Sequence, residues 1–263
     1  MKLKKLLALV MAGVMALAMT GCGADKSDSA YITDKGTLVV GYTIINPLNY
    51  MDDEDNLTGF ETEFAQAVAK ELGVKAEFVE INWDTKETEL NSKNIDCIWN
   101  GMTITPERAE NMSISTPYLE NREVLVVRAA DAEKYAEGVG GAKVVAESGS
   151  AGEELVTADE AFATAEFTPV QSMATALMEV KSGTADVAVI DYVMAGSSTG
   201  ADTDFADLTI IDNDYESEEY GIAFRKGSDV TEKVNAAITK LMDDGTLIFI
   251  ADKYGLTDIL IAQ

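Results

Sequence analysis

The sequence contains no histidine. That excludes Ser-His-Asp and Cys-His nucleophilic catalysis, histidine-ligated zinc and HExxH chemistry. Positive charge is scarce: 20 Lys and Arg stand against 46 Asp and Glu, for a net charge of −26. A surface this acidic argues against nucleic acid and against anionic lipid as partners. After the first 21 residues no stretch reaches the roughly 18 apolar residues of a membrane-spanning helix. There is no P-loop, and Gly138-Val139-Gly140-Gly141 lacks the GxGxxG spacing and the preceding strand that the dinucleotide fingerprint requires. The acidic run Asp52-Asp53-Glu54-Asp55 lacks the loop glycine and closing glutamate of an EF-hand and reads as a solvated turn. No metal and no cofactor is therefore expected.

What remains is ordinary globular composition, with 47% hydrophobic, 25% charged and 7% aromatic residues in 263. That suffices for one large domain or two lobes of about 100 residues each. Lys2, Lys4 and Lys5 precede an apolar run, Leu6 to Met19, too short to cross a bilayer. Residues 1–21 read as a secretory signal. Met19-Thr20-Gly21-Cys22 resembles a bacterial lipoprotein signal, in which the cysteine receives lipid, although Met19 stands where leucine is usual. The alternative is a plain secretory signal with a chance cysteine. Residues 22–30 read as a polar tether. With Cys22 lipidated, Cys97 is read as a buried apolar residue.

From Leu38 onward strand and helix signals alternate. Strands are expected at Thr37–Gly41, Val74–Ile81, Ile95–Trp99, Val124–Val127, Lys143–Ala146 and Ala185–Ile190. Helices are expected from Phe60 to Leu72 and over Asp84–Lys93, Ser172–Ser182, Asp229–Asp244 and Leu247–Tyr254. This is α/β architecture with mostly parallel sheets. Residues 92–100 and 181–191 echo each other: helix end, turn, acidic strand start, apolar strand, polar end. Two similar lobes are one reading; the likeness of any two αβ units is the other. In open α/β sheets, ligands bind beyond the strands' carboxyl ends, where Asn100 and Asp191 fall.

Thr103-Ile104-Thr105-Pro106-Glu107-Arg108 carries the strongest local signal. Thr105 is a good N-cap and Pro106 a good first helical residue, so a helix starts there. Arg108 then sits in the first turn, unfavourable by about 0.3–1 kcal/mol against the helix dipole. Free N–H groups, hydroxyls and a guanidinium at one turn make a carboxylate receptor. The bland reading is a surface arginine paired with Glu107 or Glu110. Ser150 and Glu153 have capping-box spacing in a second strand-to-helix turn. Asp191 is either an ammonium ligand or a helix N-cap. Trp83 can wall a ligand site, Trp99 is core, and Asn46 or Tyr50 could form a further wall.

Several segments together resemble the extracellular solute-binding proteins of family 3, the polar amino-acid receptors of ABC importers. They are Thr58 to Ala69, Gly101 to Ala109, Ser115-Thr116-Pro117-Tyr118, Tyr220 to Gly227, Asp244 to Leu247 and Lys253-Tyr254-Gly255. The resemblance spans about residues 31–260. It implies a type II periplasmic-binding-protein fold: two similar α/β lobes, residues 31–122 plus 219–263 and residues 123–218. Val124–Arg128 and Tyr220–Arg225 would be the hinge strands. It implies a lipid-anchored monomer on the outer face of the bacterial cytoplasmic membrane that closes on one amino acid and delivers it to a membrane permease. By the same resemblance Arg108 and Thr103 take the ligand carboxylate and Asp191 its ammonium. Asn100 and Gly101 face the ligand, Gly149-Ser150-Ala151 form the second-lobe turn, and Trp83 is the aromatic wall. Ala151 stands where threonine is usual, and Ile45-Asn46-Pro47 where an aromatic is usual. Glu147 would favour a cationic ligand side chain. The rival readings are an enzyme on the same scaffold, such as a cyclohexadienyl dehydratase, and a sensory module.

Overall fold

The computed structural model describes residues 27–211 and 215–262. The signal segment and Cys22 lie outside the described residues. The tether expected over residues 22–30 ends early, because Asp28–Lys35 forms helix α1. Ser27 caps it, accepting from the Ala30 N–H, and Asp28 sits at its positive end. The Asp28 carboxylate bonds Arg225 Nε at 2.9 Å, and the Ser29 N–H bonds Asp229 at 2.9 Å, which ties α1 to the body.

The chain then forms β1 (Thr37–Tyr42), the hairpin β2 (Tyr50–Met51) and β3 (Leu57–Thr58), α2 (Phe60–Glu71), β4 (Lys75–Glu80), α3 (Lys86–Asn91), β5 (Cys97–Ile98), α4 (Pro106–Asn111) and β6 (Met112–Ile114). Strand β7 (Leu119–Asn121) leads across to β8 (Glu123–Arg128), α5 (Ala132–Tyr135), β9 (Lys143–Glu147), α6 (Ala151–Ala158), β10 (Glu166–Val170), α7 (Met173–Ser182), β11 (Val187–Asp191), α8 (Tyr192–Ser198) and β12 (Leu208–Ile211). The return runs through β13 (Glu218–Tyr220) and β14 (Ala223–Arg225) to α9 (Val230–Asp243) and α10 (Thr246–Lys253).

Two five-stranded sheets result, ordered β4-β1-β5-β14-β6 and β10-β9-β11-β8-β12. Each has three parallel strands followed by two joined antiparallel. Between them β7 and β13 pair antiparallel, Leu119 opposite Tyr220. The crossing is thus made by this short ladder. The stretches expected as hinges continue from it into the sheets: β8 is a central strand, buried over Glu123–Val127 as a strand covered on both faces must be.

The helices cover the sheets with the faces the periodicity predicts. Phe60, Phe64, Ala65 and Val68 of α2 are buried, as are Met173, Ala176, Leu177 and Val180 of α7. Phe64 packs edge-on against Trp99, ring centroids 4.9 Å apart, and against Tyr118 at 5.6 Å. Cys97 is a buried free thiol. Among the described residues no helix is long and apolar enough to cross a membrane.

Candidate functional site

Helix α4 begins where expected: Thr105 Oγ1 accepts the Arg108 N–H at 3.2 Å, with Pro106 the first helical residue. The Arg108 side chain points into the molecule and the residue is 4% exposed. Its Nη1 donates to the Thr103 carbonyl at 2.9 Å, and its Nη2 to Glu154 Oε1 at 2.7 Å and the Gly149 carbonyl at 3.4 Å. Its acidic partner is therefore Glu154, on α6 of the opposite lobe, and neither Glu107 nor Glu110. Asp191 ends β11 and is 3% exposed. Its side chain does not cap α8; it accepts from Asn121 Nδ2 at 2.5 Å.

Both residues line one pocket, together with Ile45, Trp83, Asn100, Gly101, Thr103, Glu147, Ser150, Ala151 and Met173. Eight of the ten candidate ligand-binding residues thus converge. Gly149 stays behind the pocket wall, where its left-handed φ of 74° turns the chain and its carbonyl faces Arg108 and Lys86. Asn46 is exposed and outside the lining; its carbonyl accepts from Ser197 Oγ at 2.6 Å, and the buried Ile45 supplies the wall instead.

Several of these groups are already occupied. The Asn100 amide accepts from the Thr43 N–H (2.9 Å) and Asn49 Nδ2 (3.1 Å) and donates to Thr43 Oγ1 (2.6 Å). The Gly101 N–H donates to Glu61 Oε1 at 2.8 Å, and Thr103 Oγ1 to Glu218 Oε1 at 3.0 Å. Ser150 Oγ caps α6 through the Glu153 N–H, while Glu153 reaches back to the Gly149 N–H at 2.6 Å. Ala151 offers the pocket no side-chain donor. Next to it, a Cβ on Gly152 would lie 2.8 Å from the Val189 carbonyl, so glycine lets α6 press against β11.

The site carries an excess of acid. Burial, with Glu218 and Glu147 nearby, pushes the Asp191 carboxyl well above its usual range. Burial pushes Glu147 up to about 7, opposed by the Met173 N–H and the Lys86 charge, and its Oε1 has no hydrogen-bond partner among the described residues. Lys86 crosses from the first lobe to the Gly149 carbonyl at 2.9 Å and lies 4.8 Å from the Trp83 ring centroid. Burial and the Arg108 charge bring it down to about 8.

Sequence reading missed Lys86, Glu61, Asn121, Glu123 and Glu218. Lys86 falls in the helix expected over Asp84–Lys93, where no local signal marks a ligand-facing residue. Glu123, Asp191 and Glu218 bring a carboxylate oxygen each to within 4.8 Å of one another, yet they come from three strands far apart in sequence. Only the pairing of β8 with β11, which sets Glu123 opposite Asp191, reveals the cluster.

Residues 38–257 match the family of bacterial extracellular solute-binding proteins, family 3. The chain belongs to this family, and its two-lobed fold is that of amino-acid-binding proteins. It is 30% identical over 249 residues to the arginine-binding extracellular protein ArtP of Bacillus subtilis, covering 93% of this chain and 95% of that one. It is 31% identical over 268 residues to the L-cystine-binding protein TcyJ of Escherichia coli, covering 98% and 99%. Among solved structures, the ancestral amino-acid-binding protein AncCDT-1, a precursor of cyclohexadienyl dehydratase, superposes with a TM-score of 0.79 at 31% identity, over 87% of this chain and 99% of that one.

Proposed function

We propose that this chain is the capture component of an amino-acid ABC importer, holding a free amino acid between its lobes and releasing it unchanged to a membrane permease. The observation that carries this reading is a single pocket with a buried guanidinium on one lobe and a buried carboxylate on the other. Arg108 takes the α-carboxylate, with the turn at Ser150-Ala151 closing over it, and Asp191 takes the α-ammonium. Both charges of the zwitterion are then matched, which discriminates against plain amines and plain acids. Ligand favours the closed form only through better contacts there. The side chain lies among Trp83, Ile45, Met173 and Glu147, whose unpartnered buried oxygen favours a cationic side chain. The chemistry is binding only; the relatives named above support this over a dehydratase. Export through residues 1–21 and a lipid on Cys22 keep the protein at the outer face of the membrane as a monomer.

A thermal-shift screen of the amino acids, followed by calorimetry, tests the reading. An upward shift with L-arginine and L-lysine is expected, weaker with citrulline, the neutral analogue of arginine, and Glu147→Gln should narrow that gap. Arg108→Ala should lose about 2–5 kcal/mol of binding, because the ligand carboxylate is left buried without a partner, and Asp191→Asn should lose binding of every amino acid. Undiminished binding by both variants would refute the assignment, as would a chemically altered ligand recovered after incubation.

A further inference from the structure

Strands β8 and β11 set Glu123 directly opposite Asp191. Like charges in that position repel, and both side chains are buried, Glu123 at 5% exposure. Glu218 from β13 brings a third carboxyl, so that one oxygen of each lies within 4.8 Å of the others.

The three differ in what they receive. Asp191 accepts from Asn121 Nδ2 at 2.5 Å. Glu218 accepts from the same Nδ2 at 2.6 Å and from Thr103 Oγ1 at 3.0 Å. Neither oxygen of Glu123 has a hydrogen-bond partner among the described residues.

The charged and titratable groups facing Glu123 are Asp191, Glu218, Arg108 and Glu154, with the Tyr220 hydroxyl on β13. The one cation among them, Arg108, is already paired with Glu154 at 2.7 Å. An incoming ammonium balances one carboxylate more. Three ionised carboxyls cannot all be balanced this way, and a buried ion without partner or donor is far costlier than a neutral carboxyl.

We infer that Glu123 is a positioning residue: its carboxyl keeps its proton and donates it to Asp191, aiming that carboxylate at the ligand ammonium. A protonated carboxyl becomes a donor, which two ionised carboxyls facing each other lack between them. Burial and the neighbouring carboxylates Asp191 and Glu218, which hold the Glu123 carboxyl well above its usual range, act in the same direction.

Two variants separate the proton from the charge. Glu123→Gln keeps a donor at the same place; Glu123→Met keeps the volume and removes it. The inference rests on the reading of Asp191 in its affinity arm alone, which uses calorimetry with L-arginine. There Glu123→Gln should bind within about threefold of the wild type and Glu123→Met about tenfold or more weakly, the size of one hydrogen bond to a charged acceptor. The second arm needs no ligand. The infrared spectrum of the wild-type protein near neutral pH should contain a protonated-carboxyl C=O band that Glu123→Gln removes, at matched melting temperatures. Equal losses in the two variants, or an infrared band unchanged in Glu123→Gln, would overturn the inference. So would calcium raising the melting temperature of the wild type and not of Glu123→Gln, since a cation would then sit where the proton is placed. If the wild type ignores every amino acid while the infrared band behaves as expected, it is the capture reading that fails.

Discussion

Glu61 lies beneath the pocket that Arg108 and Asp191 line and holds it in shape. Its carboxylate accepts from the Gly101 N–H, from Asn49 Nδ2 at 2.7 Å and from the Tyr118 hydroxyl. Tyr118 is in turn wedged among Phe60, Phe64 and Trp99. Burial nonetheless pushes Glu61 up to about 7, against the pull of these three bonds. The folded protein therefore binds a proton here more tightly than the unfolded chain, whose glutamates titrate near 4.3. Stability from this group is full below the unfolded value and is lost as pH rises toward about 7. Glu147 adds the same sign over the same window. The melting temperature of the ligand-free protein should fall between about pH 4.5 and 7. Glu61→Gln should flatten the fall, and equal slopes in the two proteins would contradict the account. Such a role could not be read beforehand. Glu61 sits in a helix-start segment that identifies the family, and its partners come from three other places in the chain.

At the level of the element, the echo noted between residues 92–100 and 181–191 is a structural repeat. Asp96 Oδ2 accepts the Val39 N–H at 2.7 Å, and Asp186 Oδ2 the Lys143 N–H at 3.0 Å, each locking a turn onto a parallel strand. Arg225 Nη1 bonds the carbonyls of Leu90 and Ile95 at 3.0 and 2.9 Å. Arg128 Nη1 bonds those of Val180 and Ala185, both at 2.8 Å. Both arginines end the antiparallel strand that enters from the crossing ladder, β14 or β8. The turn residue is left-handed in both, Lys93 with φ 64° and Gly183 with φ 79°. The helix-turn-strand pattern was visible in the sequence because local periodicity carries it. The clasping arginines were not, because each lies at least 50 residues from the carbonyls it bonds. The Arg225 side chain is 10% exposed and that of Asp96 fully buried, whereas Arg128 and Asp186 are each 25% exposed. Arg225→Ala should thus cost about 3–5 kcal/mol in urea unfolding, as two buried carbonyls and Asp28 lose the guanidinium and buried Asp96 is left to Lys35. Arg128→Ala should cost no more than about half of that, since water can solvate what remains. A reversed order would show that burial does not set the difference.

For the molecule as a whole, polar contacts bridge the two lobes across the cleft. They include Arg108 to Glu154, Arg108 and Lys86 to the Gly149 carbonyl, Ser148 to Asp84, and Ser197 to the Asn46 carbonyl. Polar contacts of this kind exchange readily for contacts with water, which favours a reversible closure over a fixed interface. Small-angle scattering should give a smaller radius of gyration when a bound amino acid is added, and no change for Asp191→Asn at the same concentration. A wild-type radius indifferent to ligand would argue for a rigid cleft. The two-lobed plan was legible from six quoted segments because they are spread over nearly the whole chain. The crossing point was not, because a three-residue ladder has too little pattern to read and its continuations resemble ordinary strands.

The order of strands has a consequence for how the polypeptide comes off the ribosome. The second sheet draws all its strands from one uninterrupted stretch, residues 123–211, so it can be finished while the chain is still growing. The first sheet begins earlier and ends later: β14 lies between β5 and β6, so β6 has no neighbour until residue 225 has been made. The lobe begun second is the one able to mature first, and the older half waits with an open gap that only the C-terminal tail can fill.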